Sequence, residues 1–354
     1  MNSGITQIIA RLRAQAGEIW PEAPPKDFQI VRHLVRPYSN VYRLQLVAPA
    51  ARFVYVKMLT PGAKFERNSE KYLTRLATEF NAARRLQIAL QSEAEIAVIK
   101  PLAYFPEWLA IITEEAAGVT LADLINREGR FWPAAEKLEQ LTKHCRRAGQ
   151  ALAAMQTVTA ETARFDPAEL LDYIDERLQR LVKSRETPLS ATDRQRIVKF
   201  LEQTIPAVPV QQLGLCGTHG DYAPFNVLAT AEKITVADFT MFKAGSVYND
   251  LTYFYHRLEG YLHKPVFRPS TIRGLQDAFT AGYNEAMGKS KSRPGNDDLL
   301  FKVFWIKHIV NNYSAIMRRR VVNKGKTPSW PVQLFNRHVF QRYNRCLQQF
   351  CYEP

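Results

Sequence analysis

Within His219-Gly220-Asp221-Tyr222-Ala223-Pro224-Phe225-Asn226, an acid is followed five residues later by an amide. That pairing suits phosphoryl transfer. The Asp221 carboxylate can orient an acceptor hydroxyl and take its proton, and the Asn226 amide oxygen is a hard ligand for Mg²⁺. Pro224 stiffens the loop between them. Twelve residues past Asn226, Asp238 closes the apolar run Ile234–Ala237 and precedes Phe239. A strand end there would present a carboxylate for a second Mg²⁺ contact. Asp-x4-Asn alone also describes an Asx-turn or a helix cap. It gains weight from the short apolar strand that separates it from Asp238. Lys57 ends the run Val54-Tyr55-Val56-Lys57, and a lysine in an otherwise apolar strand needs a partner for its charge.

His219 to Leu228 resembles the H-G-D-x-x-x-x-N signature of the aminoglycoside phosphotransferase and choline kinase family, relatives of the protein kinases. Asp238-Phe239, Gly245 and Asp250-Leu251 resemble that family's D-F-x5-G-x4-D-L pattern, and the likeness runs from about Leu34 to Leu251. The resemblance implies an α+β, protein-kinase-like, two-lobed fold with a small β-rich N-lobe and a large helical C-lobe. It also implies an enzyme, a kinase that transfers the γ-phosphoryl group of ATP (or GTP) to an alcohol group. By the same resemblance Asp221 is the catalytic residue, and Asn226 and Asp238 hold Mg²⁺. Lys57 would hold the α- and β-phosphates. The helix that follows would supply a glutamate to position it, Glu79 ahead of Glu66, Glu70 and Glu93.

Leu109–Thr113, Glu114 and Gly118-Val119-Thr120-Leu121 resemble the family's hinge strand, hinge acid and G-x-T-L helix start. Backbone groups from Glu114 to Ala116 would then meet the adenine edge. The nucleotide-covering loop falls at Arg36-Pro37-Tyr38-Ser39-Asn40, where Ser39 and Asn40 would contact phosphate. It contains no glycine, whereas protein kinases have G-x-G-x-x-G there. Thr240 stands where a protein kinase has glycine, no A-P-E follows, and Asp250 comes only twelve residues after Asp238. That is too short for a platform that binds protein substrates. His219 and Asp250 are expected to brace the loop.

The elements that must position these groups can be read from periodicity. Phe28–Leu34, Val41–Val47 and Phe53–Leu59 alternate like the strands of a meander. Asn68–Leu90 reads as one long helix, and Ile96–Tyr104 and Leu109–Thr113 as two further strands. Beyond Leu121 the pattern is helical (Trp132–Met155, Pro167–Val182, Ala191–Thr204, Val247–Leu262, Thr271–Met287, Leu299–Arg320), apart from short apolar runs around Asn226–Ala229 and Ile234–Ala237. The expected organisation is an N-terminal helix and linker over 1–25, an N-lobe over 26–117 and a helical C-lobe over 118–354.

Composition narrows the partners. Of 354 residues, 46% are apolar and 23% charged, which excludes a disordered or fibrous chain. The formal net charge of +14 favours anionic partners. Four scattered cysteines without a CxxC pair argue against a zinc site or a disulfide scaffold and fit a reducing cytoplasm. No apolar run approaches the roughly 20 residues of a membrane span. The basic C-terminal segment, with Arg318-Arg319-Arg320, Lys324 and Lys326, could contact anionic headgroups at the inner face of a membrane. No specific nucleic-acid module is present. Basic, amide and aromatic residues between Phe304 and Arg320 suit a neutral or anionic acceptor: a sugar, a sugar phosphate or a lipid-linked glycan. Two other readings compete. One is an aminoglycoside- or choline-type kinase, for which the acidic set Glu169, Asp172, Asp175 and Glu176 speaks. The other is a catalytically inactive nucleotide-binding scaffold, suggested by the glycine-free loop.

Overall fold

Ile5, Ile8, Ile9 and Leu12 recur at helical spacing and are all buried, so the chain opens as an amphipathic helix, α1 (Ser3–Ala14), followed by one turn, α2 (Ala16–Ile19). The structure is a computed structural model that describes residues 3–36, 39–48, 52–60, 70–184, 187–288, 298–322 and 329–352. Three alternating strands follow: β1 (Asp27–Arg36), β2 (Ser39–Val47) and β3 (Arg52–Leu59). Next come α3 (Glu70–Ala89), β4 (Ile96–Val98), β5 (Pro101–Phe105), β6 (Ala110–Glu114) and the short β7 (Val119–Thr120). One sheet has the order β1-β2-β3-β6-β5, with every pairing antiparallel. Period-two alternation on β3 sends Val54, Val56 and Met58 into a core shared with α1. Tyr55 and Lys57 therefore share the opposite face.

From Leu121 the chain is mainly helical: α4 (Leu121–Glu128), α5 (Ala135–Val158), the strand β8 (Glu161–Arg164), α6 (Ala168–Lys183) and α7 (Ala191–Thr204). Then β9 (Gly214–Thr218) precedes the loop, the hairpin β10 (Val227–Ala229) and β11 (Ile234–Val236), and β12 (Lys243–Ser246). The chain ends in α8 (Val247–Glu259), α9 (Pro269–Ala286), α10 (Leu299–Val322) and α11 (Trp330–Tyr352). It divides into two compact units. The first holds Met1–Thr120 together with His219–Asp221 and Asn226–Lys243. The second holds Leu121–Thr218, Tyr222–Phe225 and Ala244–Pro354.

Sequence and structure differ in instructive places. Ile96–Tyr104 is not one strand. Pro101 lacks an N–H and restricts the residue before it. The run therefore divides into β4, which pairs in parallel with β11, and β5, which pairs with β6. Pro133 delays the start of α5 to Ala135. β8, β9 and α11 lie outside the elements read from periodicity; β9, Gly-Leu-Cys-Gly-Thr, has two glycines and little strand propensity. Within the second unit, α5 and α9 approach backbone to backbone. A Cβ on Gly149 would stand 2.0 Å from the Phe279 carbonyl oxygen, and one on Gly282 2.0 Å from that of Arg146. Among the described residues no helix is long and apolar enough to cross a membrane. All four cysteines are free thiols, with Cys145 and Cys216 buried.

Candidate active site

Lys57 is the hub of the first unit's polar centre. Its Nζ donates to Glu79 Oε1 at 3.0 Å, Asp238 Oδ1 at 2.7 Å and Thr240 Oγ1 at 2.5 Å. Of the glutamates weighed for this role, Glu70 and Glu93 are exposed and Glu66 lies outside the described residues. Glu79 faces inward from α3 with only 6% of its side chain exposed. Burial opposes the charge on Lys57, but the carboxylates of Glu79 and Asp238 outweigh it and raise the amine's pKa. Asp238 shows the mirror effect. Desolvation pushes its pKa up, yet the Lys57 charge and hydrogen bonds from Lys57 and Thr240 hold it at about 2. Its backbone is left-handed, φ 69°, an uncommon conformation for a residue with a Cβ.

The loop after β9 is tied to this centre by its own backbone. The Asp221 N–H donates to His219 Nδ1 at 3.3 Å, which leaves the ring proton on Nε2 to donate to the Ala237 carbonyl at 3.0 Å. Gly220 turns the chain with φ 78°, where an added Cβ would meet the Met241 carbonyl oxygen at 2.5 Å. Asn226 Nδ2 donates to the Asp221 carbonyl at 2.9 Å and to Asp221 Oδ2 at 3.3 Å. The Ala237 N–H donates to the Asn226 carbonyl at 2.9 Å. These bonds draw Asp221, Asn226 and Asp238 together.

The donor chemistry suits Mg²⁺. Asn226 is buried with its NH₂ committed to Asp221, so its amide oxygen is left without a hydrogen bond among the described residues. Asp238 is held ionised. One amide oxygen and one carboxylate are what Mg²⁺ uses when phosphates and water complete its shell. Among the described residues no group of three or more His, Cys, Asp or Glu forms a self-sufficient metal cage.

Beside Lys57 opens a cavity of ≈ 320 Å³, walled in part by Val41, Tyr55, Ile111, Thr113, Ala116 and Leu228. Its dimensions and mostly apolar wall suit a planar heteroaromatic ring. Glu115 is also in the wall, clamped by Arg43 through two bonds of 2.7 and 2.8 Å, and this hydrogen bonding holds its pKa down. Glu114 turns its side chain away, to Arg52 at 3.0 Å and Lys100 at 3.7 Å. Ser39 and Asn40 begin β2 but are not in the wall; the Asn40 side chain bonds His33 and Thr60 instead. Pro37 and Tyr38 of the covering loop lie outside the described residues.

Sequence reading missed two residues here. Tyr55 is marked by its position two residues before Lys57, which puts it on the same strand face. Thr240 Oγ1 accepts from Lys57 and also donates to Glu79 Oε2 at 2.8 Å or to Asp238. No short-range pattern signals that role. Asp250 lies in the second unit, in the first turn of α8, fully buried and bonded to Asn249 at 3.2 Å.

A lysine–glutamate pair on a strand and a helix, an Asp/Asn loop, and an acid at the end of a β-hairpin are the parts of a protein-kinase-like fold. Similarity to solved structures agrees. A choline kinase from Cryptosporidium parvum matches at TM-score 0.56 and 14% identity over 98% of this chain and 95% of that one. A macrolide 2′-phosphotransferase from Brachybacterium faecium matches at 0.54 and 15%, over 99% of each chain. An aminoglycoside phosphotransferase with ADP bound matches at 0.53 and 12%, over 97% and 98%. No curated protein matches in sequence. The model of the phosphotransferase enzyme family matches residues 38–287, most of the chain. The chain belongs to that family, and so to the enzymes that phosphorylate small molecules on a hydroxyl.

Proposed function

We propose that the protein is a Mg²⁺-dependent kinase that moves the γ-phosphoryl group of ATP to a hydroxyl of a sugar-type acceptor: a sugar, a sugar phosphate or a lipid-linked glycan. The observation that carries this reading is the convergence of Lys57, Glu79 and Asp238 with the Asp221–Asn226 loop. The adenine would occupy the cavity beside Tyr55, its edge against the backbone of Glu114–Ala116. The Glu114 and Glu115 N–H groups are already spent, on Lys100 and Phe53. That leaves the Glu114 carbonyl and the Ala116 N–H for the base. Lys57, held by Glu79, would grip the α- and β-phosphates. Asn226 Oδ1 and Asp238 would hold Mg²⁺, which neutralises charge on the phosphates. Asp221 would align the acceptor hydroxyl toward the γ-phosphorus and take its proton as the new P–O bond forms. Catalysis of this kind rests on positioning and charge stabilisation.

The test is Mg²⁺-dependent nucleotide consumption against sugars, sugar phosphates, lipid-linked glycans, aminoglycosides and choline, with Asp221→Asn as control. The expected result is a hit that the variant loses by about 10²–10⁴-fold, while Mg-ATP still binds in calorimetry. Wild-type turnover by Asp221→Asn would overturn the assignment of the base. Mg-ATP binding without turnover on any acceptor would favour a nucleotide-binding scaffold.

A further inference from the structure

The second unit contains its own cavity, ≈ 470 Å³, between the loop residues Pro224 and Phe225 and parts of α8, α10 and α11. Pro224 and Phe225 belong to the same stretch of sequence as Asp221, three and four residues further along the chain. The cavity's charge is unusual. Its wall includes Arg257 and Lys264 but, among the described residues, no aspartate or glutamate. The Arg257 guanidinium has no carboxylate partner there. It stacks over Phe225, 5.3 Å from the ring centroid, and beside Tyr253 at 6.0 Å. Among the described residues Lys264 Nζ reaches the Asn126 amide oxygen, at 3.4 Å, and the Tyr261 and Phe267 rings.

The nearby acids are committed or set back. Glu259 is held by Arg342 at 2.8 Å and by Gln276 at 3.2 Å. The field of Asp123 reaches Tyr261, but its side chain is not in the wall. The acidic residues of α6, weighed above as the lining for a cationic acceptor, are not in this wall. Asp175 is bound twice by Arg194 at 2.7 Å, Glu176 pairs with Arg180, and Glu169 and Asp172 are exposed. Two buried histidines, His256 and His263, complete the wall, and burial holds their pKa values near 3 and 4, so they are neutral. Both ring nitrogens of His263 and Nδ1 of His256 have no hydrogen-bond partner among the described residues. Asn126, Asn312 and Asn336 add amides to the wall; Asn126 already donates to the Ala122 carbonyl and Asn312 is bonded to His256 Nε2, and their remaining hydrogen-bonding capacity suits sugar hydroxyls.

Two cations with no carboxylate partner among the described residues, imidazole nitrogens left without a partner there and a fringe of amides describe a site for a polyhydroxylated anion. Resting on the kinase reading above, we infer that the acceptor carries a negatively charged group, a phosphate ester or a carboxylate, which Arg257 and Lys264 hold while the amides bind its hydroxyls. An amino-sugar antibiotic or choline would bring positive charge to an already positive wall.

The experiment is calorimetric titration of the full chain with Mg²⁺ and the non-hydrolysable analogue AMP-PNP at saturation, so that the nucleotide's phosphate contacts are filled. The probes are inorganic phosphate, glucose 6-phosphate, glucuronate, glucose and glucosamine. The expected result is that at least one anionic sugar binds about 10-fold or more tightly than glucose, and glucosamine no more tightly than glucose. Arg257→Gln and the exposed Lys264→Glu should each erode that advantage, with circular dichroism unchanged. The inference is overturned if no anionic sugar is favoured, if glucosamine binds best, or if both variants keep the wild-type preference. The AMP-PNP titration is read separately. Nucleotide binding without an anion preference sinks the acceptor inference alone, and an anion preference without nucleotide binding sinks the kinase reading.

Discussion

Replacing Thr240 by valine removes one hydroxyl and keeps the β-branched shape, so the change isolates a single set of hydrogen bonds. The Thr240 hydroxyl accepts from Lys57 at 2.5 Å and has one proton to give, to Glu79 at 2.8 Å or to Asp238. Losing it does not strand a charge, because Lys57 keeps Glu79 at 3.0 Å and Asp238 at 2.7 Å. The penalty is therefore not the roughly 3–5 kcal/mol of a broken buried ion pair. It is one charge-assisted hydrogen bond in a partly exposed site, about 1–2 kcal/mol. At about 1.4 kcal/mol per factor of ten, Mg-ATP should bind the variant about 5- to 30-fold more weakly. Isothermal titration with Mg-ATP reads this without knowledge of the acceptor. Thr240→Ser, which restores the hydroxyl, should return close to wild-type affinity. Wild-type affinity in Thr240→Val, or equal damage in both variants, would refute the argument.

Three further outcomes can be checked. Asp238→Ala and Asp238→Gly should both lose Mg-nucleotide binding, but the glycine variant should unfold at higher urea, by about 1 kcal/mol, because the left-handed backbone no longer carries a Cβ. Stability should fall as the pH drops from 6.5 toward 4. Burial lowers the pKa values of His256, His263 and His308 below their ordinary 6.5, so the unfolded chain takes up protons the folded chain refuses. Each histidine can contribute up to about 1.4 kcal/mol per pH unit, and a flat profile of urea-unfolding free energy between pH 6.5 and 5 would contradict this. Gly149→Ala should destabilise the fold by about 1–3 kcal/mol in thermal or urea unfolding, since its methyl would overlap the Phe279 carbonyl.

What the sequence reveals and conceals here follows from the range of the signals. Asp221, Asn226 and Asp238 are visible because a loop and a two-strand hairpin fix their spacing within twenty residues. Lys57 is visible because a charge in an apolar strand is anomalous. Thr240 is not, because a threonine two residues past an acid is unremarkable until α3 and β3 bring Glu79 and Lys57 to it. The cavity of the second unit is harder still. The sequence points to the stretch from Phe304 to Arg320, and of its aromatic and amide residues Asn312 reaches the wall, where Phe335, Asn336 and Tyr343 of α11 join it. Lys307 is spent on Asn249 at 2.5 Å, Asn311 on Tyr173 at 3.1 Å, and Trp305, His308 and Tyr313 are buried. The cations come from α8 and the turn after it, where local composition is mixed. Arg318, Arg319, Arg320, Lys324 and Lys326 have side chains outside the described residues. β4 and β5 read as one strand because apolar periodicity ignores which sheet a strand joins.

The substitution of threonine for glycine after Asp238-Phe239 also bears on control. A segment that swings between two states needs a flexible joint and weak anchors. Here the joint is anchored on several sides. Thr240 bonds Lys57 and Glu79, Arg75 holds the Thr240 carbonyl at 3.2 Å, and the Phe242 N–H closes a turn on the Phe239 carbonyl at 3.0 Å. Phe239 is 1% exposed, 4.8 Å from the His219 ring. Swinging it out would expose an aromatic side chain, about 2–3 kcal/mol, and break charge-assisted bonds worth a further 1–2 kcal/mol. A cost near 4 kcal/mol leaves the alternative at roughly one molecule in a thousand. Asp238 is thus held in place by its own neighbours. Such anchoring leaves the segment that carries Asp238 a poor candidate for a two-state switch.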